Sequence, residues 1–380
     1  MKILKKRGAK ELAAVCSSFV LLLILLLLPT GYEEAAYYQN GESCKAEVLA
    51  TDEASIINTG LIRSGEQICT VRLLDGSFRG QETQAVNMLN GSLENDKLFQ
   101  IGDQAQVLVS SRDQEILYVS MIDHYRIHTE LILAAIFVLL LILVAGKTGV
   151  RAILSFTITV LMIWKVLVPA YLGGYPPVLV GMGITAILTV VIISLVYGFD
   201  RRMLSAVCGA LTGLLVTAVM GILFTNKMQI HGAIMPYSES LLYSGYSDLN
   251  LTEIFMASIF IGASGAVMDL SVDITSAVWE VVCKKPEIGW WEAARSGMNV
   301  ARAAMGTMTT TLLLAYSGGF VTLLMVFMAQ GTPVNNILNY KYVASEIMDT
   351  IVGSMGLVSV APLTSLFAGW LLTRKHPNRG

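Results

Sequence analysis

Charge is the first thing this chain lacks. Only 14% of its 380 residues are Asp, Glu, Lys or Arg, where a soluble domain carries about a quarter, so an ordinary water-soluble globule is excluded. Cysteine is scarce too: Cys16, Cys44, Cys69, Cys208 and Cys283 are too few and too scattered for a disulfide-built scaffold or a thiol-rich metal motif. Histidine is scarcer, with His124, His128, His231 and His376 and none inside a membrane-length apolar stretch. Gly262-Ala263-Ser264-Gly265 matches the short serine motif of intramembrane proteases, but a serine nucleophile needs a base in reach; the match reads as packing glycines. His124 and His128 share a helical face, and two ligands make a weak metal site. No phosphate loop, nucleotide fingerprint or basic aromatic-interleaved face stands in the sequence, so no cofactor, metal, catalysis or nucleic acid is expected.

What the chain has is oil. It is 54% hydrophobic with a mean hydropathy of +0.63. A helix needs about 20 mostly apolar residues to cross a bilayer, and eight stretches come close, at 12–28, 129–146, 150–168, 178–197, 203–224, 251–270, 305–328 and 343–372. Pro362 offers the last one a kink site. The fold class is an α-helical polytopic membrane protein with about eight transmembrane helices and a small extracytoplasmic all-β domain between the first and second spans.

The net charge of −2 hides an asymmetry. Lys2, Lys5, Lys6, Arg7 and Lys10 precede the first span. Lys147 and Arg151, Arg201 and Arg202, Lys284, Lys285, Arg295 and Arg302, then Arg374, Lys375 and Arg379 mark alternate connections, while Lys227 and Lys341 stand alone in two of the opposite ones. The positive-inside rule then puts both termini in the cytoplasm and residues 30–126 outside. The division is 1–29, the N-terminus and first span (an uncleaved anchor rather than a signal peptide); 30–126, the outward domain; and 127–380, seven further spans with a cytoplasmic C-terminus. In the outward part, alternating runs such as Ala46–Ala50, Ile68–Leu74 and Ala105–Val109 read as strands, punctuated by Asp75-Gly76 and Gly102-Asp103. They predict a β-barrel or sandwich. Cys44 and Cys69 share its oxidising compartment, and both a disulfide and two free thiols fit.

The polar residues within the apolar part are the candidates for function. Asp269, Asp273 and Glu280 recur at spacings of four and seven and share one helix face; Arg295 and Arg302 arrive from the following helix. Because an unpaired charge at membrane depth is costly, at least one Asp–Arg pair is expected, with Arg302 the better partner. Glu280 also reads as part of a solvated face. A second, outer group comprises Lys165, Glu253, Glu346 and Asp349, with snorkelling or helix-dipole roles as the plainer alternatives. Thr307, Thr311 and Ser317 supply hydroxyls along the seventh span, mostly bonded back to the helix. Gly209-x-x-x-Gly213 is a close-packing pattern. Two surface helices are expected between the sixth and seventh spans, with Pro286 opening the second and Trp290-Trp291 as interfacial anchors.

Three segments carry a resemblance: Gly262–Glu280, Ala301–Gly318 (with Arg302 and Tyr316) and Glu346–Pro362 (with Asp349, Gly353 and Gly356). Together with Gly76, Gly80, Gly102-Asp103 and Tyr125-Arg126 ahead of the second span, they resemble the YibE/F-like family over most of the chain. The run Thr309-Thr310-Thr311 departs from that pattern, which has an Asn before the last Thr. The resemblance implies a bacterial plasma-membrane protein of permease type. The expected function is a secondary transporter or ion-coupled permease for a small solute or ion, with Asp273 as the coupling carboxylate, Asp269 its partner and Arg302 the counter-charge. The rival is a non-transporting scaffold or assembly factor whose β domain binds an envelope protein. The bilayer is a partner in either case; the oligomeric state is not readable from the sequence.

Overall fold

The computed structural model describes residues 2–29 and 41–374, with side chains from residue 9. Residues 30–40 and the charges of Lys2, Lys5, Lys6, Arg7, Lys375 and Arg379, together with His376, lie outside what is described. The chain forms two compact units, Gly31–Val144 and the remainder, Met1–Thr30 with Ala145–Gly380.

The smaller unit contains β1 (Gly41–Asn58), β2 (Arg63–Leu73), β3 (Glu82–Asn90), β4 (Gln104–Arg112) and β5 (Glu115–His124), followed by α2 (Ile127–Ala145), α1 lying earlier in the chain. The five strands close a barrel in the order β1-β2-β3-β5-β4, with a single parallel pairing, β3 with β5. β1 serves both β2 and β4 because its ladder shifts register twice, after Val48 and after Asp52, and such bulges curl a strand toward closure. The predicted alternation is present: Cys44, Ala46 and Val48 of β1 and Cys69, Val71 and Leu73 of β2 point inward. Small residues dominate because a five-stranded barrel has little room inside. Two buried amides fasten one end. Asn87 Nδ2 donates to Gln67 Oε1 (3.1 Å) and to the Lys97 carbonyl (2.6 Å). Gln67 Nε2 donates to the Phe99 carbonyl (2.9 Å), and Phe99 N returns a bond to Gln67 Oε1 (3.0 Å). These bonds pin residues 97–99 across the barrel, and full satisfaction is what makes buried polar groups tolerable.

In the larger unit, α1 is Lys2–Leu27, α3 Lys147–Met162, α4 Val168–Leu172, α5 Pro177–Tyr197, α6 Arg201–Lys227, α7 Ser238–Tyr243 and α8 Leu251–Lys284. Then come α9 (Trp290–Ser317), α10 (Val321–Ala329), α11 (Val334–Asn339) and α12 (Lys341–Thr373). Eight helical segments among the described residues are long and apolar enough to cross a membrane, and they coincide with the eight predicted stretches. A π-helical turn, Ile163–Leu167, joins α3 to α4. Pro169 lies just beyond it, and a proline ring clashes with the carbonyl four residues back, which a widened turn relieves. α12 runs unbroken through Pro362.

α6, α8 and α12 share the main core with α9. Glycine sets how near they come. A Cβ on Gly213 would stand 2.8 Å from Val360 Cβ, and one on Gly297 2.6 Å from Val278 Cγ2; Cβ atoms on Gly209 and Gly356 would collide with Thr364 and Thr217. The Gly209–Gly213 pair is therefore the α6 surface against α12, as the small-residue pattern implies.

One expectation is corrected. No pair of surface helices separates the sixth and seventh spans. α8 is a single helix of 34 residues, about 51 Å long at 1.5 Å per residue, and α9 begins only at Trp290. The residue before a proline is driven out of the helical region, and Lys285 is extended (φ −127°, ψ 82°), so Pro286 ends the first helix instead of opening the second.

Cys44 and Cys69 are free thiols, both buried. Burial, aided by Glu42 and Asp75 at Cys44 and by Glu53 at Cys69, pushes each from an ordinary 9.0 to about 11. The folded barrel thus holds these protons more tightly than the unfolded chain. The stability these two protons contribute is present in full below pH 9 and is lost as pH rises through 11. In a variant with Cys16, Cys208 and Cys283 replaced, an impermeant maleimide at pH 8 is expected to modify neither thiol until the protein is denatured; failure to label the denatured, unreduced chain would reveal a disulfide instead.

Candidate functional site

The acidic face of α8 is where the sequence placed it, but it is not a salt-bridged cluster. Asp269, Asp273 and Glu280 are all exposed on one side of the helix, in line with Ser258, Gly262, Gly265 and Ser276. Among the described residues no ion pair joins Asp269 or Asp273 to Arg295 or Arg302. Glu280 pairs along its own helix with Lys284 at 3.2 Å, and Arg302 Nη1 reaches only Asn299 Oδ1 at 3.5 Å. The expected Asp–Arg pair is absent, and these side chains are all exposed on the surface of the unit. The buried cation at this end is Arg202, 8% exposed. Its Nε lies 3.4 Å from Asp200 Oδ2, and its guanidinium stacks on Tyr197 and Trp279. Tyr197 in turn donates toward the Val272 carbonyl (2.7 Å) and meets Ser276 Oγ (2.6 Å), one residue from Asp273 on one side and three on the other. In sequence Arg202 carried only a topological signal.

The outer group divides. Lys165 Nζ donates to the Leu26 and Leu28 carbonyls at 3.1 and 2.8 Å, closing the end of α1, where cations are favoured. Glu253 completes a reciprocal cap: its N–H donates to Asn250 Oδ1 (3.1 Å), and Asn250 Nδ2 donates to Glu253 Oε1 (3.0 Å). Both side chains have structural duties.

Glu346 and Asp349 do not. They stand well inside α12, past its first turn. Glu346 Oε1, Asp349 Oδ1 and the Tyr316 hydroxyl are buried polar atoms without a hydrogen-bond partner, and Tyr316 lies within electrostatic reach of both carboxylates. Tyr316 belongs to the last turn of α9 and enters the gap between α8 and α12 through a pair of glycines. A Cβ on Gly262 would stand 2.6 Å from its hydroxyl oxygen, and one on Gly353 3.9 Å from its ring.

Immediately beyond Tyr316, the apolar span Trp290–Ala329 breaks: Gly318–Phe320 form a 3₁₀ turn before α10 resumes. Adjacent glycines are a recognised cause of such interruptions. An apolar cavity of about 300 Å³ adjoins the break, lined by Leu313, Ser317, Phe320, Leu324, Val343 and Glu346 among others.

The candidate hydroxyls take the plainer role. Thr307 donates to the Ala304 carbonyl (3.0 Å), Thr311 to Thr307 (3.0 Å) and Ser317 to Leu313 (2.6 Å). The residue that sequence reasoning passed over is Tyr316. Its signal was a tyrosine followed by Ser317-Gly318-Gly319 inside an apolar run, a polar tip at the point where the helix gives way.

An unsatisfied buried polar group costs about 1–3 kcal/mol, more if charged. Tyr316→Phe and Asp349→Asn are therefore expected to leave the melting temperature of purified protein unchanged or higher. A clear fall would show that these groups hold the fold together. Gly262→Leu, which evicts the tyrosine, is expected to lower it.

The family model described as "YibE/F-like protein" matches residues 133–374, a stretch containing α8, α9 and α12 and every residue of this site. Searches of curated proteins and of solved structures returned no match.

Proposed function

The chain belongs to the YibE/F-like family, and we propose that it is an ion-coupled secondary transporter of the bacterial plasma membrane. Its coupling cation or proton is held by Glu346 and Asp349 with the Tyr316 hydroxyl. The observation that carries this reading is that three unpartnered buried oxygens from α9 and α12 lie within electrostatic reach of one another, beside a span that tightens into a 3₁₀ turn. Carboxylates at membrane depth are expensive and mark ion pathways. One cation held beside them, or one proton on either carboxylate, removes one of their two negative charges.

Topology follows from the charges. With Lys147, Arg151, Arg201, Lys284, Lys285, Arg295 and Arg302 on the cytoplasmic side, the β-barrel lies outside. Glu346 and Asp349 then belong to the outer half of the membrane, and Asp269 and Asp273 to the inner half. Asp273 with Asp269 and Arg302 remains the competing coupling site. Both it and Arg302 are open on the surface of the unit, whereas a coupling site has to be shielded until its ion arrives, which favours the outer group.

The scaffold reading has one observation in its favour. Ile57, Leu61 and Leu93 of the smaller unit are 64%, 79% and 69% exposed, an apolar display suited to an envelope protein.

The test is electrical recording from reconstituted protein on a supported membrane, stepping pH and a panel of ions and small solutes. A solute-triggered current that Asp349→Asn reduces about tenfold or more, while Asp273→Asn spares most of it, is the expected result. Loss with Asp273→Asn alone would move coupling to α8. Silence from folded, inserted protein would favour the scaffold.

A further inference from the structure

We infer that this chain associates with a second copy of itself. The contact joins the acidic face of α8 to the basic, small-residue face of α9 of the other copy, with Arg302 of each protomer set between Asp269 and Asp273 of its neighbour. This rests on a different part of the molecule from the proposed coupling site.

Depth comes first. α8 and α9 are antiparallel neighbours whose level is fixed where Gly297 meets Ile274 and Val278. Five residues further along α9 and about five back along α8, roughly 7.5 Å in each case, Arg302 stands level with the stretch from Asp269 to Asp273. Within one chain they nevertheless make no ion pair, and Arg302 is left with Asn299 alone. Two exposed carboxylates and an exposed guanidinium therefore share one depth on adjacent faces. Against hydrocarbon each would be costly, and each is what the other lacks.

The surroundings suit helices better than lipid. Ala303, Gly306, Thr307 and Thr310 are exposed beside Arg302, and the two threonine hydroxyls are turned back onto the helix. A Cβ on Gly306, or on Gly265 in the acidic face, would meet nothing within 4 Å. The interior glycines are small because something presses on them. These two have open space, so the unit itself gives no packing reason for glycine there. Small residues at a bilayer-facing surface are the mark of close helix–helix approach.

Symmetry closes the argument. A twofold axis along the membrane normal preserves depth and brings the α8 face of each copy to the α9 face of the other, so both ion pairs form at once. An axis in the membrane plane would invert one copy against the charge bias of its loops.

The test uses full-length protein carrying two different tags, co-expressed and captured through one of them. Asp273→Arg alone and Arg302→Asp alone each set like charges across both contacts, and co-capture is expected to fall about tenfold or more. An Asp273→Arg copy mixed with an Arg302→Asp copy restores opposite charges at both contacts and is expected to recover wild-type co-capture. Photobleaching of single wild-type molecules in nanodiscs should show two steps. Wild-type monomers, or dimers whose mixed charge-reversed pair gains nothing over the single variants, would overturn the proposal. A monomer that binds anionic lipid through Arg302 would overturn it as well, making a headgroup the occupant.

Discussion

Every feature of this structure follows from the cost of charge in an apolar medium. With one residue in seven charged and eight membrane-length helices among the described residues, the chain can place a charged group at depth only where something receives it. Most of its ions are received plainly. Asp200 caps the start of α6, and Glu253 accepts from the side-chain amide of Asn250, the residue that caps α8. Glu11 and Arg151 tie α1 to α3 at 2.9 Å. Arg202 is sandwiched by aromatic faces, and Lys165 closes the end of α1. Against that thrift two groups stand out: the buried oxygens of Glu346, Asp349 and Tyr316, and the exposed charges of Asp269, Asp273 and Arg302. In the first, Glu346 Oε1, Asp349 Oδ1 and the Tyr316 hydroxyl are buried without a hydrogen-bond partner; in the second, no Asp–Arg ion pair forms among the described residues and the side chains are open. Enclosure suits an ion that comes and goes, openness a contact made between molecules.

Glycine is the second lever. Where glycines face inward, at Gly209, Gly213, Gly297 and Gly356, they bring helices into backbone range and make a dense core. At Gly262 and Gly353 they leave a slot that a tyrosine fills, and at Gly318-Gly319 they let the helix break beside it. The same residue type thus produces rigidity in one half of α12 and a cleft in the other.

Much of this was legible in the sequence. Apolar length alone located the eight helices, since a span requires an unbroken run whatever its neighbours do. Alternation located β1, β2 and β4, although closure into a barrel depended on bulges in β1 that no local pattern announces. The acidic stripe on α8 followed from its spacing. What spacing cannot show is direction around the bundle. Asp273 and Arg302 were expected to pair and do not within the chain, because which flank a helix turns outward is decided by its packing partners. Pro286 was ambiguous for a similar reason: a proline can open a helix or end one. The importance of Tyr316 was hidden because its partners lie about thirty residues ahead and about fifty before it, joined only by folding.

The central claim is that the Glu346–Asp349–Tyr316 pocket is an ion site opened in turn to the two sides of a membrane. The most direct measurement places one cysteine at Ser317, which lines the adjoining cavity, in a chain whose five native cysteines are replaced. Its reaction with an impermeant thiol reagent is then followed from each side of sealed vesicles. The predicted result is labelling from both sides, with the balance shifted by pH or by the coupling ion. Labelling from one side only, indifferent to both, would contradict the claim.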